Sequence, residues 1–246
     1  MIKVLKFGGT TLDSLEKRNK IIKIIKKELE NKNKLLIVVS AIGRLNDNYS
    51  TDKLKTLVPY LKNKELDYFL QIGEMISTCV LSSNLNENKI RNYLLFNTNL
   101  KIITDNNYNN SNIIKIKIKN LKKIFKKENI IIIPGFIGQT KKKNITTLGR
   151  GGSDTTACIL ASKFKTELEI YQDVDGIYDE DPKLNPNSKL YKYITYNTIL
   201  KLILNKAKFL HYKGFIIAKK NNLKIKFKNL NNNLETIIND YNEYYN

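Results

Sequence analysis

The sequence predicts an α/β protein, a three-layer α/β/α sandwich around a mainly parallel central sheet. Three observations lead there. Apolar runs of strand length alternate with longer stretches whose apolar residues recur at helical spacing. The run from Leu35 to Ser40 is almost continuously apolar, as a parallel strand covered on both faces requires. Glycine-rich turns follow predicted strands, and an open α/β sheet binds its ligands at the carboxyl ends of its strands.

The elements follow in order. Ile2 to Phe7 reads as a strand and Leu12 to Glu30 as an amphipathic helix. After the strand ending near Ser40 comes a loop to Thr51. Helices are then expected over Thr51 to Leu61 and Lys64 to Ser83. Tyr93 to Ile103 holds one or two strands. The Asn-rich tract Asn106 to Asn112 is a loop, and Ile116 to Lys127 reads as a helix. Ile130 to Pro134 is a strand, Thr155 to Lys163 a helix, and Glu167 to Tyr171 a strand. Helices near Tyr196 to Asn205 and Tyr212 to Asn221 precede a strand near Lys224 to Phe227. The polar tail, 231–246, is expected to be a short helix or disordered.

Composition bounds the function. The chain has 246 residues, of which 41% are hydrophobic, enough for one α/β domain. No apolar run approaches the ~18 residues of a membrane span, so no membrane association is expected. A strand begins within two residues of Met1, so no leader is expected, and the expected compartment is cytoplasmic. Cys79 and Cys158 lie among apolar neighbours in helical patterns and read as buried, reduced thiols. The formal net charge is +20, from 43 basic and 23 acidic residues. Alone it would suggest nucleic acid or an anionic surface as partner. The excess is nearly all lysine, however, spread over helix faces and accompanied by Asn, Ile, Tyr and Phe, residues whose codons are rich in A and T. Compositional bias accounts for it, and no specific nucleic acid is expected. Cys/His spacing of the kind that builds a metal centre is lacking, so no protein-held metal is expected.

Three segments carry chemistry. Lys6-Phe7-Gly8-Gly9-Thr10-Thr11 joins the first strand to the first helix. Free N–H groups and the positive end of the helix dipole there suit a phosphate, although the spacing is not that of a Walker A loop. Thr147-Leu-Gly-Arg-Gly-Gly-Ser-Asp154 precedes another helix. Its glycines permit a sharp turn and close approach, and Arg150 offers a planar fork for carboxylate or phosphate. Ser153 stands where it suits either a ligand or a helix cap. Gln172-Asp-Val-Asp-Gly-Ile-Tyr178-Asp-Glu-Asp-Pro-Lys183 ends the strand Glu167 to Tyr171 with acids and a tyrosine. Taken by itself, Glu74, between Ile72 and Met75 in a helix, reads as a solvated face residue, and Ser40 as a ligand or a turn cap.

Together these segments, with Val-Val-Ser-Ala at 38–41 and Gly73-Glu74, resemble the aspartokinases of the amino acid kinase family, from Lys3 to about Asn229. The resemblance implies an ATP-dependent kinase that phosphorylates the β-carboxylate of L-aspartate. That reaction opens the route to lysine, threonine, methionine and diaminopimelate. Another acceptor within the family, or a basic nucleic-acid-binding protein on a degenerate kinase scaffold, are the alternatives.

By the resemblance Lys6 and Asp154 are catalytic, Lys6 contacting the transferred phosphoryl group and Asp154 orienting Lys6 and the acceptor carboxylate. Ser40, Asn46, Glu74, Arg150 and Ser153 bind the substrate, with Glu74 on its amino group and Arg150 on its α-carboxylate. Lys6, Gly8, Gly9, Asp173, Tyr178, Lys183 and Lys208 bind the nucleotide, which brings Mg2+ with it. His211 is expected to be structural. A homodimer is left open. Residues 1–230 are expected to form the catalytic domain, with the nucleotide side at about 147–230. Only 17 residues follow Asn229, too few for an ACT regulatory domain, so insensitivity to lysine and threonine is expected. Asn46 replaces a family threonine, Gln172 another, Tyr212 a proline and Lys183 a common arginine. These changes put affinity and rate in doubt more than reaction type.

Overall fold

The structure is a computed structural model that describes residues 1–45, 47–96, 100–182, 184–204 and 210–239, and the backbone of 244–245. Its strands are β1 (Ile2–Phe7), β2 (Lys34–Val39), β3 (Tyr93–Leu94), β4 (Ile102–Thr104), β5 (Ile113–Ile116), β6 (Ile130–Pro134), β7 (Ile137–Gln139), β8 (Ile145–Thr147), β9 (Leu168–Gln172), β10 (Tyr191–Ile194), β11 (Ile225–Asn229), β12 (Glu235–Ile238) and β13 (Tyr244–Tyr245). Its helices are α1 (Leu15–Glu30), α2 (Thr51–Leu57), α3 (Asn63–Glu87), α4 (Lys119–Ile124), α5 (Gly152–Phe164), α6 (Tyr196–Leu204) and α7 (Tyr212–Lys220).

The large sheet runs β13-β10-β12-β11-β9-β1-β2-β6-β3 and is mainly parallel; among the described residues, only β11–β12 and β10–β13 pair antiparallel. Residues alternate between its two faces. Val4, Leu36, Val38, Ile131 and Ile133 pack with α5 and α7 through Leu160, Ala161 and Phe215. Leu5, Leu35, Ile37, Val39 and Ile132 pack on the opposite face with α1 and α3 through Ile21, Ile25, Leu81 and Leu85. This is the expected three-layer sandwich, and it explains the unbroken apolar run of β2.

Several elements depart from the sequence reading. The helix expected from Leu12 starts at Leu15, because the Ser14 side chain accepts from Lys17 N and caps it; Gly9–Thr11 forms a separate 3-10 turn. The helix expected to reach Leu61 ends at Leu57, before Val58 and Pro59. The helix expected over Ile116 to Lys127 shrinks to Lys119–Ile124, and the Ile/Lys alternation before it is β5, paired antiparallel with β4. β7 and β8 form an unexpected hairpin that joins β4 and β5 in a second, four-stranded sheet. The tail is neither helix nor disordered at 235–238, where β12 pairs with β11 and β10. Cys158 is buried as expected, whereas Cys79 lies exposed on α3; both thiols are free.

Candidate active site

A cavity of about 560 Å³ opens at the carboxyl ends of β1 and β2, between the start of α5 and the middle of α3. Its lining includes Lys6, Ser40, Glu74, Arg150, Ser153 and Asp154. Four segments far apart in sequence therefore meet there. Asn46, Lys183 and Lys208 lie outside the described residues.

Lys6 is the last residue but one of β1 and is 8% exposed. Its ammonium lies 2.8 Å from a carboxylate oxygen of Asp154, in the first turn of α5. An acid there also complements the helix dipole. The pair brings a cation and an anion side by side where β1 and α5 converge.

Glu74 is 3% exposed, the reverse of the solvated residue that its local sequence suggests. The cause is close packing of α3. At Gly73 a Cβ would lie 2.9 Å from Leu54 Cδ1, 3.0 Å from Tyr49 O and 3.2 Å from Ala41 Cβ. Glycine lets the helix press against the segment after β2, which carries Glu74 under the cavity floor. Ser153 Oγ donates to Glu74 Oε1 at 3.4 Å, while Oε2 is buried with no hydrogen-bond partner among the described residues. Burial pushes the Glu74 carboxyl up to about 8, against the lowering effects of the Ala41 amide, Lys6 and Ser153. A buried acid with a vacant acceptor suits a cationic ligand group.

Ser153 does not cap α5. Gly151 holds the cap position in the left-handed conformation (φ 64°), and the serine hydroxyl turns to Glu74 instead. Arg150 is exposed, and among the described residues its guanidinium makes no hydrogen bond or ion pair. His211 packs beneath Gly151, where a Cβ would sit 2.1 Å from His211 Cβ. Burial lowers the imidazole pKa. Packing is thus the evident role of His211, although it also lines the cavity.

Gly8 and Gly9 differ from a simple phosphate cradle. Gly8 N–H donates to Tyr171 O at 3.2 Å. At Gly9 a Cβ would fall 2.2 Å from Ala41 O and 2.5 Å from Gly43 O, so this glycine lets the ends of β1 and β2 close on each other. The 3-10 turn from Gly9 has no side-chain cap at its start, where the first amides of a helical turn have no partner within the turn.

The segment from Asp173 to Tyr178 does not line this cavity. Asp173 is exposed. Tyr178 Oη donates to Asp175 at 3.2 Å, and Asp175 also accepts from Asn229 and Asn232, which fixes this loop to the end of β11. Sequence reasoning passed over Asp175, and also Asn109 and Asn110, which form a wall of the cavity. The Asn-rich tract is a loop as expected, but nothing local in it signals where it packs. Among the described residues, no group of three or more His, Cys, Asp or Glu is placed to hold a metal, and no helix is long and apolar enough to cross a membrane.

Residues 1–229 match the amino acid kinase family over nearly the whole chain. The chain belongs to that family. It is 37% identical to an aspartokinase of Rickettsia prowazekii over 211 residues, covering 85% of this chain and 47% of that protein. An aspartokinase 1 of Bacillus subtilis is 33% identical over 220 residues, covering 87% of this chain and 54% of that one. The chain thus spans about half the length of the curated relatives it matches. Among solved structures, an aspartate kinase from Synechocystis superposes with a TM-score of 0.83 at 30% identity, over 98% of this chain and 40% of that one. A UMP kinase from Ureaplasma parvum shares the fold, with a TM-score of 0.69 at 21% identity over 98% of this chain and 99% of its own.

Proposed function

We propose that the protein transfers the γ-phosphoryl group of ATP to the β-carboxylate of L-aspartate, giving 4-phospho-L-aspartate and ADP. The observation that carries this reading is the pairing, in one cavity, of a buried acid with a vacant acceptor (Glu74) and an unengaged arginine (Arg150) beside the Lys6–Asp154 pair. A zwitterionic amino acid needs one group for each of its charges. Glu74 takes the ammonium, Arg150 grips the α-carboxylate in a bidentate fork, and Ser40 and Ser153 supply hydroxyls. The names of the relatives point to the same acceptor.

In the reaction, a β-carboxylate oxygen forms a bond to the γ-phosphorus as the bond from that phosphorus to the β,γ-bridging oxygen breaks, and ADP leaves. The acceptor is already ionised at neutral pH, so no general base is required. Positioning and charge neutralisation carry the catalysis. Lys6 stabilises the charge on the moving group, and Asp154 holds Lys6 in place. ATP occupies the side built from about residue 147 to 230, with Asp173 and Tyr178 as contacts, together with Lys183 and Lys208. Magnesium would come bound to the nucleotide and would neutralise phosphate charge there; the chain's own part is to hold the phosphates and acceptor in line.

Coupled measurement of ADP release tests the reading. Aspartate should support turnover and glutamate, UMP and acetylglutamate should not. Turnover with one of the other acceptors and none with aspartate would refute it.

A further inference from the structure

The turn that carries Arg150 has little to hold it from within. Gly149 and Gly151 are both left-handed (φ 78° and 64°), and Gly152 N–H closes the turn on Gly149 O. Such a backbone has wide freedom on its own. Its place is decided by what packs around it.

Two charged side chains outside the cavity's reacting groups grip it from opposite elements. Asp67 is on α3, seven residues or about two turns before Glu74, so both project from one helix face. It is 0% exposed. Its carboxylate accepts from Thr147 N at 3.0 Å, Thr147 Oγ1 at 2.6 Å and Asn109 N at 2.9 Å. Lys213 is in the first turn of α7. Its ammonium donates to Asn110 O at 2.9 Å, Asn110 Oδ1 at 2.7 Å, Ser111 O at 3.0 Å and Leu148 O at 3.3 Å. Ser111 N–H also donates to Thr147 O at 2.9 Å. The loop 106–112 and the stretch 147–149 are thus one layer, fastened by an anion on one side and a cation on the other. At Gly149 a Cβ would lie 2.6 Å from Asn110 Oδ1, so the two segments of this layer are in close contact next to Arg150.

We propose that Asp67 and Lys213 are positioning residues that clamp the loop 106–112 to the Arg150 turn, and that this clamp sets the distance between Arg150 and Glu74 in which the amino acid is held. The second half of this rests on the function proposed above. Neither side chain touches substrate. Both act through the backbone of residues 147–150. The single helix α3 thereby supplies one carboxylate for the substrate and another for the backbone that carries the opposing arginine.

The test uses Asp67→Asn and Lys213→Met in the full chain. Asparagine keeps the volume but replaces one acceptor oxygen by a donor. Methionine keeps the stem and the helix, and removes all four bonds from a half-buried position, so it stands in if Asp67→Asn does not fold. Hydrogen exchange of the ligand-free protein is read first. Each variant should speed exchange in 106–112 and 147–152 by about ten- to a hundredfold, the loss expected for charge-assisted bonds, and leave β9 within about twofold. Kinetics are read second. The KM for aspartate should rise about tenfold or more, because small misplacement of a binding group is costly, while kcat and the KM for ATP stay within about threefold. The double variant should fall short of the sum of the two. Exchange that is unchanged, or that rises equally in β9, overturns the clamp. So does a fall in kcat at constant KM, which a loss of folded protein alone produces. If the wild type turns over a different acceptor, the exchange result still decides the clamp, and the KM is read for that acceptor.

Discussion

Glu74→Gln should change how stability depends on pH, and the size of the change follows from the position of the residue. The carboxyl rises from 4.5 to about 8, first because of burial, then through the nearby charge of Asp154. The Ala41 amide, Lys6 and Ser153 oppose the rise without cancelling the burial that drives it. Below pH 4.5 the group is protonated in both the folded and unfolded chain and imposes no penalty. Between 4.5 and 8 the unfolded chain gives up the proton and the folded chain keeps it, so stability declines as pH rises. Above 8 the folded carboxyl ionises too, and the penalty is complete. At about 1.4 kcal/mol per pH unit, the rise amounts to roughly 5 kcal/mol, an upper figure because the cavity opens to water. Glutamine carries no such linkage. Urea unfolding of the ligand-free protein, followed by circular dichroism because the chain has no tryptophan, measures the difference. The stability of Glu74→Gln relative to wild type should grow by several kcal/mol, about 2 to 4, from pH 5 to pH 8. A difference that stays constant across that range would refute the argument and place Glu74 in contact with solvent.

Lys6→Ala should lower turnover by ~10²–10³ and leave the KM for aspartate nearly unchanged, since its charge matches the transferring group; steady-state kinetics that show near-wild-type turnover in folded protein would remove it from catalysis. Arg150→Lys should raise the KM for aspartate and spare that for ATP, because lysine keeps the charge and loses the fork; the opposite pattern would assign Arg150 to the nucleotide. In the native protein a thiol reagent should label Cys79 alone and reach Cys158 only after unfolding, for Cys158 is buried and its thiol is pushed up by that burial; mass spectrometry showing both labelled at similar rates would contradict the packing of α5.

The amino-acid sequence by itself determined the strands β1, β2, β6 and β9, helix α1 and the sandwich class, because apolar run length and period report which faces an element must bury. It also marked Lys6, Arg150 and Asp154, whose glycine-rich settings are local. It could not show that Glu74 is buried. Its neighbours in the helix give a face, and only the close approach that Gly73 permits to Tyr49 and Leu54 decides what covers that face. The same holds for where the hairpin β7–β8 and the strand β12 dock, since their outer partners, β4 and β10, are distant in sequence. Nothing local in the sequence singles out Asp67 or Lys213. Their roles exist only because the backbone amides and carbonyls of 109–111 and 147–148 are brought between α3 and α7, and a buried backbone group must find a partner wherever the fold supplies one.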